Sequence, residues 1–251
     1  MHIPDGFISV PVAAVAAVVA AGGIAVALRS SRRLPDDAAA PLAGHVAVFV
    51  FAAQMVNFPI GAGTSGHLVG GALAAILVGP SLAVLAMTVV VVVQALVFAD
   101  GGLLALGLNL TNLAIVAPVV GYLVFRTVMR IAAERRAAVP IAAGLAGMAA
   151  VLATASAFSL EFWLGGTDAV DASLVAAATI GVHSGIGIVE GVITALIVVA
   201  VLGLRTDLVA GVRRPSPDVV DQGSALAGAS DGQSGTPGGQ RVVSTSDSAE
   251  R

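Results

Sequence analysis

The first two residues, Met1 and His2, carry the atoms needed to chelate a transition metal. A free terminal amine, the amide nitrogen of His2 and a ring nitrogen of His2 can bind one metal ion in adjacent five- and six-membered rings. One corner of the resulting square plane is left for another ligand. Planar nitrogen sites favour Ni(II) or Cu(II) and also hold Co(II). The alternative interpretation is that His2 is the second residue of an ordinary exposed terminus.

The chelate requires that the N-terminus survives in the mature protein. Signal peptides begin with a basic region, whereas residues 1–7 contain no lysine or arginine and one acidic residue. Arginines follow the first apolar stretch instead, which reverses the charge order of a signal peptide. We therefore expect no cleavage, and we expect Met1 to be retained because its removal requires a smaller second residue than His2.

Polar residues inside apolar stretches are costly and therefore become functional candidates. His67 follows a run of glycines and small residues that lets the backbone approach a buried site, although it could also cap a short helix. His183 and Glu190 share a helical face. They could hold a metal-bound imidazole by hydrogen bonds, or serve as a polar pair between two helices. Further candidates for hydrogen bonds beneath a site are Gln94, Asn109 and Asn112, whereas His45 is assigned to packing.

Several other chemistries are excluded. The chain has no cysteine, so neither disulfides nor thiolate metal sites can form. It has no Walker A sequence, no G-x-S-x-G and no H-E-x-x-H, and no single apolar stretch carries a pair of carboxylates. We therefore predict that the chain is not an enzyme and does not hydrolyse ATP itself.

The composition indicates a protein embedded in a lipid bilayer. Of the 251 residues, 57% are hydrophobic and only 11% are charged, too few to cover the surface of a soluble domain. Several apolar runs reach the roughly 18 residues that a membrane-spanning helix needs. The runs lack the strict alternation of barrel strands, so we predict an all-α membrane bundle.

Hydropathy predicts seven spans. Their ranges are about 8–28, 41–58, 67–79, 81–99, 104–126, 138–162 and 172–204. Arginines follow the first, fifth and seventh spans, and with seven spans all of them fall on one face. Because positive loops stay in the cytoplasm, this pattern predicts an extracytoplasmic N-terminus and a cytoplasmic C-terminus.

The third span and the C-terminal region depart from the usual pattern. A helix over 67–79 would be only about 20 Å long, so we expect a half-length helix that opens on His67 and is buried among the others. Residues 215–251 are rich in serine, glycine and aspartate and lack aromatic residues. We therefore predict a membrane domain over 1–214 and a disordered cytoplasmic tail over 215–251.

Four parts of the sequence resemble the CbiM/NikM family, the cobalt and nickel S components of energy-coupling-factor transporters. They are the opening Met-His-Ile-Pro-Asp-Gly, the glycine-rich segment 61–71 with Leu-Val-Gly-Pro at 77–80, Gln94-Ala-Leu with Asp100-Gly-Gly-Leu, and the region from Gly181-Val-His to Thr194. The likeness covers residues 1 to about 204. Family members usually have Ser-His-Pro or a similar string in the loop, whereas Leu68 follows the histidine here.

The resemblance implies a seven-helix plasma-membrane protein that captures Co(II) or Ni(II) as its transported substrate, without an organic cofactor. It implies metal ligation by the amine of Met1, the amide and ring nitrogens of His2, and the side chain of His67. The implied partners are a transmembrane coupling subunit, two ATPase subunits and, in many systems, a small accessory membrane protein. No nucleic acid is expected to bind.

Three other functions are compatible with a polytopic membrane protein. An S component for an organic micronutrient should have an aromatic-lined cavity, but only 4% of the residues here are aromatic. A stand-alone secondary transporter usually shows repeated broken helices or a charged relay. A membrane scaffold would not bind metal at all, so metal binding by the purified protein distinguishes it from a transporter.

Overall fold

The computed structural model describes residues 2–33, 39–56, 58–61, 64–167, 170–205 and 209. Within this part of the chain there are seven helices and one short hairpin. In chain order these are α1 (Val10–Ser31), α2 (Ala39–Gln54), β1 (Phe58–Gly61), β2 (Thr64–Gly66), α3 (Gly71–Val78), α4 (Pro80–Val97), α5 (Leu106–Ile131), α6 (Val139–Gly165) and α7 (Ala172–Leu204). The predicted tail, residues 215–251, lies outside the described residues, so its disorder stays a prediction.

The predicted fold class is confirmed as a membrane-helical bundle. Five helices, α1 and α4–α7, are long and apolar enough to cross a bilayer, and α2 is a shorter apolar helix. Large side chains such as Val18 (73% exposed) face outward from α1, whereas its buried positions are alanines. This arrangement is typical of membrane bundles, in which small residues let helix backbones approach each other and large ones face lipid.

The short helix α3 lies in the middle of the bundle. All eight of its residues are buried, and it packs mainly against α4 and α5. A helix of this length can end inside the bilayer because its free backbone groups are enclosed by protein rather than lipid. The half-length buried helix expected from the sequence is therefore present.

The start of this helix differs from the prediction. α3 begins at Gly71 rather than at His67, and residues 67–70, here called the His67 loop, are not helical. The backbone amides of Val69 and Gly70 and the carbonyl of Val69 bind side chains from other helices, so they are not available for a helical turn. The second span was also predicted to continue to residue 58, but α2 ends at Gln54 and the chain enters the β1–β2 hairpin.

The remaining predicted spans differ from the observed helices by a few residues, and the last has the predicted bounds, Ala172–Leu204. The side chain of Asp171 caps this helix by accepting a hydrogen bond from the amide of Ser173. The bonds from the hydroxyl and amide of Ser173 lower the pKa of Asp171. Whether all seven helices cross the membrane stays a prediction.

The contact between α6 and α7 depends on small residues. A Cβ atom added to Gly191 would lie 2.7 Å from the carbonyl oxygen of Gly144, so no larger residue fits there. Gly187 packs against Met148 in the same interface. Gly181 and Gly185, earlier in the same helix, face open space.

Candidate metal-binding site

Residues 2–9, here called the N-terminal segment, fold into one end of the bundle. Ile3, Phe7 and Ile8 are buried at 1%, 8% and 6% exposure and form a cluster with aromatic residues of α6. The side chain of His2 is buried with them, at 6% exposure. The interpretation of His2 as part of an ordinary exposed terminus is therefore wrong.

Asn109, in the first turn of α5, holds the N-terminal segment next to His2. Its side-chain oxygen accepts a hydrogen bond from the amide of Ile3 (2.7 Å), and its side-chain amide donates to the carbonyl of Ile3 (3.1 Å). The amide of Gly102 also donates to that carbonyl, at 2.9 Å. Asn109 thus pairs with the backbone of Ile3 as a neighbouring strand would, and this fixes the position of His2.

The carboxylate of Asp5 makes a second attachment. It accepts hydrogen bonds from three successive backbone amides, those of Leu103 (3.1 Å), Leu104 (2.7 Å) and Ala105 (3.1 Å). These amides precede α5 and would otherwise lack partners. This role of Asp5 was not predicted from the sequence, although an acidic residue near the terminus and a Gly-Gly pair before α5 were signals for it.

The imidazole rings of His2 and His67 face each other. Their centroids are 4.8 Å apart with an interplanar angle of 27°. The Nε2 atom of His2 lies 3.1 Å from Oε1 of Gln94, and Nδ1 of His67 lies 2.8 Å from the carbonyl of Leu68. With the ring protons on these two oxygen-facing nitrogens, Nδ1 of His2 and Nε2 of His67 are left with the lone pairs that can bind a metal.

Nδ1 of His2 and Nε2 of His67 lie 3.2 Å apart. Adjacent ligands in a square plane are about 2.8 Å apart when each metal–nitrogen bond is about 2.0 Å. The pair is therefore close to the separation that one metal ion requires. In addition, Oδ1 of Asp100 lies 3.3 Å from Nδ1 of His2, so a carboxylate places negative charge beside the pair.

A left-handed glycine allows this close arrangement. Gly101 has a φ of +98°, a conformation that L side chains rarely adopt. A Cβ atom there would lie 2.9 Å from the side-chain nitrogen of Asn109 and 3.2 Å from Cβ of His2. The turn between α4 and α5 therefore has room for the N-terminal segment only because this position lacks a side chain.

His67 is fully buried, at 0% exposure, in the loop before α3. Burial, together with the neighbouring His2, lowers the pKa of His67 well below its usual value. The ring is therefore neutral at neutral pH, which is the form that binds metals. Met1, the other expected ligand, lies outside the described residues.

The structure places the remaining candidates in different positions. Asn112 donates to Glu161 (2.7 Å) rather than to the site, and His45 is exposed, with Nδ1 against the carbonyl of Pro41. His183 is buried, and its Nδ1 atom lies 2.7 Å from the carbonyl of Thr179. Glu190 is also buried, but its carboxylate binds the amides of Val69 and Gly70, not an imidazole.

Known proteins similar to this chain are metal-transport proteins. The family model described as "Cobalt uptake substrate-specific transmembrane region" matches residues 2–208. A protein of Haloquadratum walsbyi, provisionally named a metal transport protein, is 44% identical over 209 residues, which cover 83% of this chain and 93% of the relative. The fused nickel transport protein NikMN of Rhodobacter capsulatus is 39% identical over 162 residues, 64% of this chain, and this chain spans about half (47%) of that longer relative.

The fold is also similar to a solved structure, the crystal structure of a truncated transition metal transporter. The two superpose with a TM-score of 0.72 at 33% sequence identity, covering 81% of this chain and 99% of the other. The chain therefore belongs to the CbiM family of cobalt-uptake substrate-specific transmembrane regions and is a multi-pass membrane component of cobalt or nickel transport.

Proposed function

We propose that this protein is the capture subunit that binds Co(II) or Ni(II) for an energy-coupling-factor transporter. In this proposal, four nitrogens bind the metal: the amine of Met1, the amide nitrogen and Nδ1 of His2, and Nε2 of His67. The metal is the transported substrate rather than a resident cofactor. The family's description as a cobalt-uptake region supports a metal rather than an organic micronutrient as the substrate.

The observation that carries the proposal is which ring nitrogen of His2 faces His67. A chelate through the amine and amide of the first two residues closes a six-membered ring only with Nδ1, because Nε2 is too far round the ring. In the structure Gln94 engages Nε2, and Nδ1 faces Nε2 of His67 at 3.2 Å. The nitrogen that the chelate requires is therefore the one closest to the proposed fourth ligand.

We further propose that the site opens to the extracytoplasmic side. The turns before α5 and α7 lie at the same end of the bundle as the N-terminal segment, because Gly102 contacts Ile3 and Thr167 contacts Phe7. Arginines follow α1 and α5 at the other end, where the positive-inside rule expects the cytoplasm. The metal would enter from outside, exchange its water shell for nitrogens and be covered by the N-terminal segment.

Transport then needs partners that supply energy. The sequence contains no ATP-binding motif, and the proposed partners are a transmembrane coupling subunit, two ATPase subunits and a small accessory membrane protein. The Rhodobacter relative is named as a fused transport protein, which supports assembly from more than one component. We propose that residues 1–214 form the transport domain and that the tail 215–251 is dispensable for metal binding.

The decisive experiment is a titration of purified protein with Ni(II) and Co(II), using a sample with its native N-terminus. The comparison variant has two glutamines inserted between Met1 and His2, bulky enough to keep Met1 in place, and the control has two glutamines added after Arg251. The insertion should abolish tight binding, because two extra residues place the His2 ring too far from the terminal amine for adjacent chelate rings, and the C-terminal addition should have no effect. Equal affinity in all three proteins would show that the ligand assignment is wrong.

A further inference from the structure

Glu190 is a buried carboxylate that the proposed ligand set does not use. It lies on the inner face of α7 at 2% exposure, in a segment that spans the bundle. A carboxylate at such a depth is costly unless its oxygens are hydrogen-bonded. Both of them are: Oε2 accepts from the amide of Val69 at 2.5 Å, and Oε1 accepts from the amide of Gly70 at 2.8 Å.

These two amides belong to the His67 loop. The carbonyl of Val69 is held as well, by the side-chain amide of Gln54 on α2 at 2.6 Å. Gly70 has a φ of +75°, and an added Cβ atom would lie 2.8 Å from Val50. The backbone just after His67 therefore has little freedom, and Glu190 supplies two of the bonds that fix it.

We infer that Glu190 is a positioning residue that holds His67 at the metal through the backbone of the His67 loop. This inference rests on the proposed function, since it requires His67 to be a metal ligand. A metal-bound histidine usually donates a hydrogen bond from its second ring nitrogen to a carboxylate or a carbonyl. The carboxylate of Glu190 does not accept such a bond from His67. That contact is made by the carbonyl of Leu68, and Glu190 acts on the chain segment that carries the ring.

The two imidazoles are consequently held by different helices. His2 is fixed by Gln94 of α4 and, through Ile3, by Asn109 of α5. His67 is fixed by Glu190 of α7 and Gln54 of α2 through the loop. A displacement of α7 relative to α4 and α5 would move His67 away from His2 and weaken the metal site.

The test uses full-length protein with a native N-terminus, titrated with Ni(II) and followed by the visible absorption of the bound metal. Glu190→Gln preserves the shape of the side chain. It replaces one acceptor oxygen with an NH₂ group, which would face a backbone N–H group and could not accept its hydrogen bond. We expect it to weaken Ni(II) binding by about 10- to 100-fold, the range typical of groups that orient metal ligands. We also expect the absorption band to move to longer wavelength, as in His67→Ala, because water replaces an imidazole.

The double variant Glu190→Gln/His67→Ala distinguishes positioning from general destabilisation. If Glu190 acts only through His67, the double variant binds Ni(II) no more weakly than His67→Ala alone. Glu161→Gln is the matched control, because that carboxylate contacts Asn112 and not the His67 loop. It should leave the affinity and the spectrum unchanged.

If Glu190→Gln does not fold, Gln54→Met provides a second test on the same loop. This variant removes only the hydrogen bond from Gln54 to the carbonyl of Val69 and leaves the bonds of Glu190 in place. Wild-type affinity and spectrum in a folded Glu190→Gln protein, or additive losses in the double variant, would overturn the inference. A His67→Ala protein that binds Ni(II) like the wild type would instead overturn the proposed function, and Glu190 would then have no ligand to position.

Discussion

The Nε2 atom of His67 lies 3.2 Å from the Nδ1 atom of His2, although 65 positions separate the two residues in the chain. The other nitrogen of each ring is engaged by an oxygen, from Leu68 or Gln94, and Oδ1 of Asp100 lies 3.3 Å from Nδ1 of His2. Two imidazole nitrogens this close, beside a carboxylate oxygen, are stabilised by a proton or a metal cation that they share. This proximity is the physical basis of the proposed metal site.

Replacing His67 by alanine should weaken Ni(II) and Co(II) binding by at least about 100-fold, more than the loss typical of groups outside the metal's own ligands. The physical reason is the loss of the fourth nitrogen. His45→Ala is the matched control, because His45 is exposed and contacts only the carbonyl of Pro41 among the hydrogen bonds described. Isothermal titration of the two variants checks the prediction, and equal affinities would contradict it.

Asn109→Ala should release the N-terminal segment. It removes two buried hydrogen bonds to Ile3, each worth about 0.5–1.5 kcal/mol, so metal affinity should fall by about tenfold or more. Asn112→Ala, one helical turn further along α5, removes a bond to Glu161 instead and should keep its affinity. Metal titration of both variants is the measurement, and a similar loss in the two would argue against a specific clamp.

Gly101→Ala should reduce both stability and metal binding. The residue has a φ of +98°, which costs an L side chain about 1–3 kcal/mol, and its Cβ atom would crowd Asn109 and His2. Gly181→Ala is the control, because this helical position faces open space and alanine is favoured in helices. Thermal unfolding in detergent, together with Ni(II) titration, should show a loss only for the first variant.

The pH dependence of binding should not come from His67. Burial lowers its pKa well below the usual value of about 6.5, so the ring carries no proton to displace at neutral pH. The metal must instead displace protons from the terminal amine and the His2 amide, so affinity should rise with pH. His67→Ala should lower the affinity at every pH between about 6 and 8 without changing the slope. A shallower slope in the variant would show that His67 is protonated in the metal-free protein.

The proposed topology can be tested by labelling, because the chain has no cysteine of its own. Val170 and Arg135 are exposed residues in turns that precede α7 and α6, at opposite ends of the bundle. In intact cells, a membrane-impermeant maleimide should label Val170→Cys and leave Arg135→Cys unlabelled until the membrane is permeabilised. The reverse pattern would place the N-terminus in the cytoplasm.

The helices could be predicted from the sequence because hydropathy is a local property. In lipid, each long apolar segment has to form the hydrogen bonds of its own backbone, because no water is present. The segment therefore becomes a helix whatever its neighbours are. The range 172–204 was predicted with the bounds that the structure has. The start of α3 was missed because the backbone of Val69 and Gly70 binds Glu190, a contact over about 120 positions that no local pattern contains.

The same distinction between local properties and long-range contacts applies to the candidate site. The residue types alone indicated which atoms could bind a metal, since the chelating ability of Met1 and His2 depends only on adjacent covalent bonds. The partners of Gln94, Asn109, Asn112, His183 and Glu190 were decided by the tertiary structure, because the rotation of each helix determines which groups its polar side chains meet. Only the folded chain brings Nδ1 of His2 to Nε2 of His67, since their approach depends on a loop, an N-terminal segment and four separate helices that hold them.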